Sequence, residues 1–379
     1  MGAFGRAWRR EIAFLGSSPW DLGVVVVGPL LLLVVMGWLF MAGSARHLPI
    51  AVVDADHSAL SRQLVRNLEA SDTVRIAAQP ASLPEAFSLA RRGEVWAVVY
   101  VPIGAQRDAV AGTGATITVH DNASYYSLGA LASRGVGTAV TALSAQLAPR
   151  LQRIHNLPSV RVTAPAVQST VLFNPGLSYE WFLEALIQPG VLHLMMSCAI
   201  VAAIGREFRD ATFSAWIRGA GEIVPALLGK LAPYVLVFTA WNLAGTAWLC
   251  GFRGWGVHGS LFLLIAGQFL MYAAYAALAA VVTAGVRDIP TALSAAAVYG
   301  GPAITFSDAT LPTLTAPLFT RALSNLLPFT SYVRLQMEQM FMGSPGADSL
   351  RWLGVLALFS AVLFPAACLL LRKPARAAA

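Results

Sequence analysis

The 379-residue chain is 57% apolar and only 12% charged, about half the charged content of a typical soluble protein, which excludes an ordinary pair of soluble domains. Its net charge of +7 comes without a Lys/Arg run longer than two or basic residues interleaved with aromatics, so no nucleic-acid surface is expected. Cys198, Cys250 and Cys368 fall in apolar stretches without a CxxC or Cys/His cluster, which argues against structural zinc and a disulfide framework.

At the N-terminus Phe4, Trp8, Ile12 and Leu15 fall within about 80° of helical arc while Arg6, Arg9 and Arg10 point away. Residues 1–20 are expected to form a helix lying along the inner membrane surface. Glu11 projects onto the edge of the apolar stripe; both a snorkelled, exposed carboxylate and a partner contact are compatible with that position.

Charge is costly in hydrocarbon, so long windows free of Asp, Glu, Lys and Arg mark candidate spans: Leu22–Ala45, Ala185–Gly205, Leu231–Phe252, Gly254–Val286, Ile289–Ser307 and Trp352–Leu371. The window Val162–Tyr179 contains Pro165, Gln168, Ser169, Asn174 and Pro175 and reads as extended chain. The first apolar run exceeds a signal-peptide core and is expected to stay as an anchor over residues 21–45. With the N-terminus inside, the short cytoplasmic segments hold eleven Lys/Arg residues against four in the short outer loops. The expectation is a multi-pass protein of the bacterial inner membrane with both termini cytoplasmic.

Residues 46–180 change pattern and predict a periplasmic α/β domain. Ile50–Val53, Val95–Val101 and Ala115–His120 read as strands, and Leu60, Leu64 and Leu68 set one face of a helix. Ser82-Leu-Pro-Glu85 reads as a capping box opening a helix that stops at Gly93, and Ser127–Ile154 as a long helix. Asp54, Asp56, His57 and Asp121 are metal-ligand types, but Asp and Ser are also the residues expected at strand ends and helix caps. Asn122-Ala-Ser124 fits a glycosylation acceptor.

Residues 181–379 are expected to hold five spans. Between the first two, Gly205–Gly221 reads as a short cytoplasmic helix with exposed Phe208, Phe213 and Trp216, suited either to docking a partner or to anchoring at the interface. Leu311–Gly343, broken by Pro312, Pro317 and Pro328, is expected to dip partway into the outer face. Polar residues in the spans are few. Glu184, Gln188, His193, Asn242 and Tyr272 are candidates for a translocation path, with Gln268 and Tyr275 nearby; on one helix His193 lies opposite Glu184. For His193 a hydrogen bond to a neighbouring span competes with substrate contact.

No phosphate-binding loop is present: around Gly229-Lys230, Val224 takes the first glycine position and Leu231 replaces the Ser/Thr. HExxH, GxSxG and a chain of intramembrane carboxylates are missing too. No catalytic residue, metal ligand or cofactor of its own is assigned to the chain.

Several segments in order resemble the membrane subunits (permeases) of type-2 ABC exporters, in the branch with a large periplasmic domain after the first span. They are Arg10-Glu11 before Asp21 and Pro29; Val52–Val65; Arg91–Pro102; Phe173–Pro175; Pro189-Gly190; Gly205–Phe208; Leu227–Tyr234; and Leu327–Val333. The chain departs from the pattern at Ala211-Thr212, where the family has Gly-Thr, and at Ser307-Asp308, where it often has Ser-Gly. The windows and the pattern between them predict an α-helical polytopic membrane protein of six transmembrane helices with an inserted extracytoplasmic α/β domain, and the resemblance follows the same topology. It implies a second permease copy, as homo- or heterodimer, and separate ABC ATP-binding subunits that hold ATP and Mg. Membrane lipid is a further expected partner, and the sequence leaves open whether a periplasmic adaptor joins. Glu207–Ile217 would be the coupling helix, with Glu207, Phe208, Arg209, Phe213, Trp216 and Glu11 engaging the ATPase. Few charges in the spans favour a hydrophobic or amphipathic cargo: a drug, lipid or lipid-linked molecule. A mechanotransmission or signalling permease, which moves its periplasmic domain without exporting anything, and a membrane-embedded hydrolase are the alternative readings.

Overall fold

The computed structural model describes residues 2–41, 46–111, 116–121, 126–154, 178, 180–309 and 316–377. The chain divides into two compact units, Ser44–Thr170 on one hand and Met1–Gly43 with Val171–Ala379 on the other. Asn122–Ser124, Phe173–Pro175, residues 310–315 and all of the 162–179 window except Ser178 lie outside the described residues.

The larger unit opens with α1 (Ala3–Ser17), whose buried residues Ala7, Glu11 and Leu15 recur every fourth position and therefore share one face. Phe4 and Ile12 are exposed beside that face. Ser18 turns the chain out of α1 and caps the next helix at Asp21, with Pro19 in its first turn. α2 (Pro19–Leu22) and α3 (Gly28–Leu39) are joined by a π turn at Gly23–Val27. They make one apolar rod, Pro19–Leu39, three residues longer at its start than the charge-free window. Trp20 and Trp38 are 86% and 73% exposed, and 1.5 Å per residue separates them by about 27 Å. That spacing matches aromatic belts at the two edges of a hydrocarbon core about 30 Å thick.

The smaller unit is a four-stranded sheet of order β2-β1-β3-β4, with β1 (Leu48–Asp54), β2 (Val74–Ala78) and β3 (Ala97–Val101) parallel and β4 (Thr118–Asp121) antiparallel. Between them run α4 (Ala59–Glu69), α5 (Leu83–Arg91) and α6 (Ala105–Ala111), and α7 (Tyr126–Ile154) follows β4. β1 is buried at nearly every residue, as expected of a central parallel strand covered on both faces. Leu60, Leu64 and Leu68 of α4 are buried, while Ala51, Val53 and Val98 pack with Ala86 of α5. β2 and α6 are not anticipated from sequence: Val74–Ala78 alternates in burial but has a single polar residue, Arg75, to mark its exposed face, and α6 spans just 7 residues. The expected capping box at Ser82 does not form, because Ser82 makes no side-chain cap bond and Glu85 accepts instead from the Ala81 N–H. The reciprocal box is found at Ser58 and Ser61.

The larger unit resumes with a π turn at Glu180–Glu184 leading into α8 (Ala185–Arg209), then α9 (Phe213–Ala220) and α10 (Ile223–Ala247), which ends in a π turn at Trp248–Phe252. α11 (Leu261–Val286), α12 (Ile289–Gly300), α13 (Leu318–Asn325), α14 (Pro328–Gln336) and α15 (Gly346–Ala377) complete it. From Glu180 to Phe208 no residue is exposed, so α8 is the central rod. It packs against α10, α11 and α12.

Among the described residues five helices are long and apolar enough to cross a membrane: Pro19–Leu39, Glu180–Arg209, Ile223–Phe252, Leu261–Val286 and Gly346–Arg372. The sixth window, Ile289–Ser307, is not one continuous helix. It forms the 12-residue α12, a 3-10 turn at Gly301–Ala303 and further turns; about 18 Å of helix falls short of a hydrocarbon core. α13 and α14 are likewise short, as the proline breaks predict, with α14 buried along nearly its whole length.

Candidate functional site

Where α1, the end of α8 and the start of α10 meet, six charged side chains close into a cluster: Glu11, Arg206, Glu207 and Lys230 are buried, Asp21 is partly buried and Arg10 stands at the solvent edge. Gly229 sets the approach: a Cβ there would lie 2.6 Å from Ala7 Cβ and 2.9 Å from the Trp8 backbone nitrogen, so only glycine lets α1 lie this close to α10. The next residue, Lys230, is 1% exposed and its Nζ donates to Glu11 Oε2 at 2.5 Å and Glu207 Oε1 at 2.9 Å. Arg206 reaches Glu11 Oε1 at 3.1 Å and Asp21 Oδ1 at 3.4 Å. Arg10 donates to Glu207 Oε2 at 2.8 Å, and the Thr212 hydroxyl donates to the same oxygen at 2.6 Å. Tyr234 donates its hydroxyl to Glu11 Oε1 at 2.8 Å.

Three carboxylates, Glu11, Asp21 and Glu207, thus face three cations, Arg10, Arg206 and Lys230. Cation–π contacts add to the set: the Arg206 guanidinium lies over the Phe14 ring, and Lys230 Nζ is 5.0 Å from the Trp216 ring centroid. A crevice of about 340 Å³ opens over the cluster, lined among others by Arg10, Ser17, Arg206, Asp210 and Thr212. Arg209, beside Asp210, holds that exposed carboxyl below its usual range.

The cluster corrects the reading of Gly205–Gly221. Gly205–Arg209 is the last stretch of α8, and the chain turns at Ala211 before α9 begins at Phe213. Phe213 and Trp216 are 7% and 1% exposed, and Phe208 stacks on Phe213 at 5.0 Å. The aromatics face the bundle because the eight-residue helix is amphipathic toward it; its exposed side holds Ala215, Arg218 and Gly219. Glu207 is 2% exposed rather than surface-facing, Arg209 is exposed, and Glu11 has partners rather than solvent. Ala211 sits at φ +54° and Asp308 at φ +70°, so both positions at which the resemblance implies a glycine fall where the backbone is left-handed.

Lys230, Arg206, Asp21 and Tyr234 escaped the sequence reading. In the sequence Lys230 and Arg206 read as two of the eleven basic residues of the short cytoplasmic segments. The available signal was that Ile223–Leu228 is itself nearly free of polar residues, which places Lys230 two turns inside a helix, where a charge requires partners.

A second cluster lies inside the bundle and carries no net charge. Gln188 Nε2 donates to the Asn242 carbonyl and to Asn242 Oδ1, each at 3.3 Å, and Asn242 Nδ2 reaches the Tyr332 hydroxyl at 3.4 Å. Thr246 bonds the Asn242 carbonyl, and Gln268 donates to Thr246 at 3.0 Å. Gln188 fits because Gly245 faces it; a Cβ would overlap its amide. Pro189 cannot donate to the Ala185 carbonyl one turn back, and Gln336 Nε2 of α14 takes that acceptor at 2.8 Å.

Of the candidate path residues, the fold joins Gln188 to Asn242. It sends His193 elsewhere: the imidazole packs on Tyr275 and Phe329 with centroids 4.2 and 5.3 Å away, and Nδ1 meets the Pro189 carbonyl at 3.2 Å. Glu184 and Tyr272 are buried, and Glu184 Oε2 and the Tyr272 hydroxyl find no hydrogen-bond partner among the described residues. All five lie within one chain's bundle at 2% exposure or less. In the smaller unit, Asp54 accepts from the N–H groups of Asp56 and His57, and Asp56 from those of Gly104 and Gln106. These carboxylates thus bond backbone amides. A hydrogen bond from Ser58 and those amides hold Asp56 below its ordinary pKa despite some burial.

A comparison with curated proteins gives no match. A family model described as ABC-2 family transporter protein matches residues 20–369. The match begins just after α1, so Glu11 lies outside it while Asp21, Arg206, Glu207 and Lys230 lie inside. Members of that family are membrane subunits that associate with ABC ATP-binding subunits and are not themselves the ATPase. With most of its length matched and five membrane-length apolar helices, the chain belongs to the ABC-2 transporter family as a multi-pass membrane permease subunit.

Proposed function

We propose that the chain is the permease of an exporter that moves a hydrophobic or amphipathic molecule out of the cytoplasm or inner membrane, powered by separate ATP-binding subunits carrying ATP and Mg. Two permease copies form the working unit, with the Ser44–Thr170 unit on the periplasmic side, where an adaptor can engage it. The observation that carries this reading is the charged cluster, which ties the surface helix α1 to the ends of the spans α8 and α10 and sets Lys230 Nζ over the Trp216 ring of α9. Force applied at Arg209, Ala215 and Arg218, exposed near that junction, has a short route into the bundle. An apolar groove of about 520 Å³ between α10, α11 and α15 is in keeping with an apolar cargo.

Both termini lie in the cytoplasm in this reading, with α12 and the turns after it completing a sixth crossing. A cysteine at position 100 labels from outside the cell and one at position 214 only after permeabilisation. Labelling of both from one side would sink the topology. The chain purified with an ATP-binding subunit hydrolyses ATP and clears a lipophilic fluorescent dye from vesicles, whereas the chain alone hydrolyses none; robust hydrolysis by the contaminant-free chain would overturn the assignment.

A further inference from the structure

We propose that Lys230 and Arg206 are positioning residues for transport: they yoke α1, the end of α8 and the start of α10 into one body, so that movement imposed on the surface helices reaches both spans in register. This inference rests on the exporter reading above. Lys230 binds one carboxylate from α1 and another from α8, and Arg206 binds α1 and the first residues of the rod that begins at Pro19. Every pairwise junction of the three helices therefore passes through an ion pair rather than through apolar contact alone. Glu11, Glu207 and Lys230 are each 2% exposed or less.

Stability does not account for such a set. Taking charges out of water costs about as much as their mutual attraction returns, and buried ion clusters replaced by apolar or neutral groups of the same shape commonly keep or gain stability. Apolar packing is tolerant of sliding, whereas a carboxylate bonded at 2.5–2.9 Å to one ammonium fixes register along and around the helix axes. Gly229 serves the same end: it removes the side chain that would hold α1 away from Lys230. Tyr234, one turn beyond Lys230, adds a second hold on Glu11 at 2.8 Å. The cluster is neutral as a whole, so it attracts no ion of its own, and its geometry serves alignment.

The test is made in the assembled complex with its ATP-binding subunits. The triple variant Glu11→Gln, Lys230→Met, Glu207→Gln removes four of the cluster's five ion pairs while keeping side-chain volume, and leaves Arg10 at the solvent edge and Arg206 paired with Asp21. It is expected to insert, co-purify with the ATPase and keep its thermal midpoint within a few degrees. Dye cleared per ATP hydrolysed should fall at least tenfold, and Lys230→Arg alone should retain most of the ratio. A triple variant with wild-type transport per ATP would overturn the proposal. If the triple variant does not insert, Glu207→Gln carries the test alone, since it preserves the Lys230–Glu11 pair: a severalfold lower ratio supports the yoke and an unchanged ratio overturns it. A wild-type complex that neither assembles nor hydrolyses ATP would instead defeat the exporter reading.

Discussion

The charged cluster at the α1–α8–α10 junction and the neutral cluster around Asn242 are both buried polar assemblies, yet they are built differently. The first satisfies side chains with side chains: six charged groups close on themselves. The second leans on backbone carbonyls, those of Asn242 and Ala185. In the middle of a spanning helix the carbonyls are already hydrogen-bonded or freed by a proline, so an amide side chain can share them at little cost. At a helix end, where a charge can be tolerated beside solvent, whole ions are used. Losing a member should therefore cost more in the first cluster than in the second.

The largest effect is expected for Lys230→Ala, which takes the shared cation from buried Glu11 and Glu207 and leaves each with one arginine, Arg206 and Arg10; removing one member of a buried ion cluster is anticipated to cost about 3–5 kcal/mol. Thermal unfolding in detergent followed by size-exclusion chromatography measures it, and a midpoint equal to wild type would erase the contrast. Trp216→Ala should cost about 3–5 kcal/mol as a core truncation, in the same assay, whereas an exposed docking residue would leave the midpoint unmoved. Asn242→Ala should lose about 1–2 kcal/mol, since neutral hydrogen bonds are forfeited but no charge is stranded. A drop as large as that of Lys230→Ala would show that the two clusters do not differ in kind. At the small end, Ala211→Gly should stabilise by up to about 1 kcal/mol by relieving a left-handed alanine. Asp308→Gly should change little, because relief of its backbone is offset by losing the partly exposed pair with Arg334 at 3.1 Å.

Much of the fold was legible because period and charge speak directly in apolar helices: the five long rods lie where charge-free windows lie, and Leu60, Leu64 and Leu68 face inward as their spacing demands. What failed did so for a common reason. Trp216, Phe213 and Glu207 looked exposed because the chain around them is short and charged, but exposure is decided by what packs alongside, and α1 arrives there from some two hundred residues away in sequence. Lys230 pairing with Glu11 is invisible for the same reason. β2 was missed because its five residues Val-Arg-Ile-Ala-Ala put alanine as well as arginine on the exposed face, and the 12-residue α12 because absence of charge says nothing about where a helix breaks. Glu11 alone gave warning, as a carboxylate at the edge of an apolar stripe.

The first rod also acts as a ruler. If Trp20 marks one lipid–water boundary, Asp21 and the ions it helps neutralise stand at the same depth, where polarity changes over a few ångströms. Ion pairs there are stronger on the oily side and looser on the wet side. The thickness of the surrounding bilayer then becomes a variable that tunes how tightly the three helices hold together: a thicker membrane draws the cluster inward and tightens it, and a thinner one lets water loosen it. Transport per ATP in vesicles of graded acyl-chain length reads that dependence, and a flat response would separate the cluster from the membrane's edge.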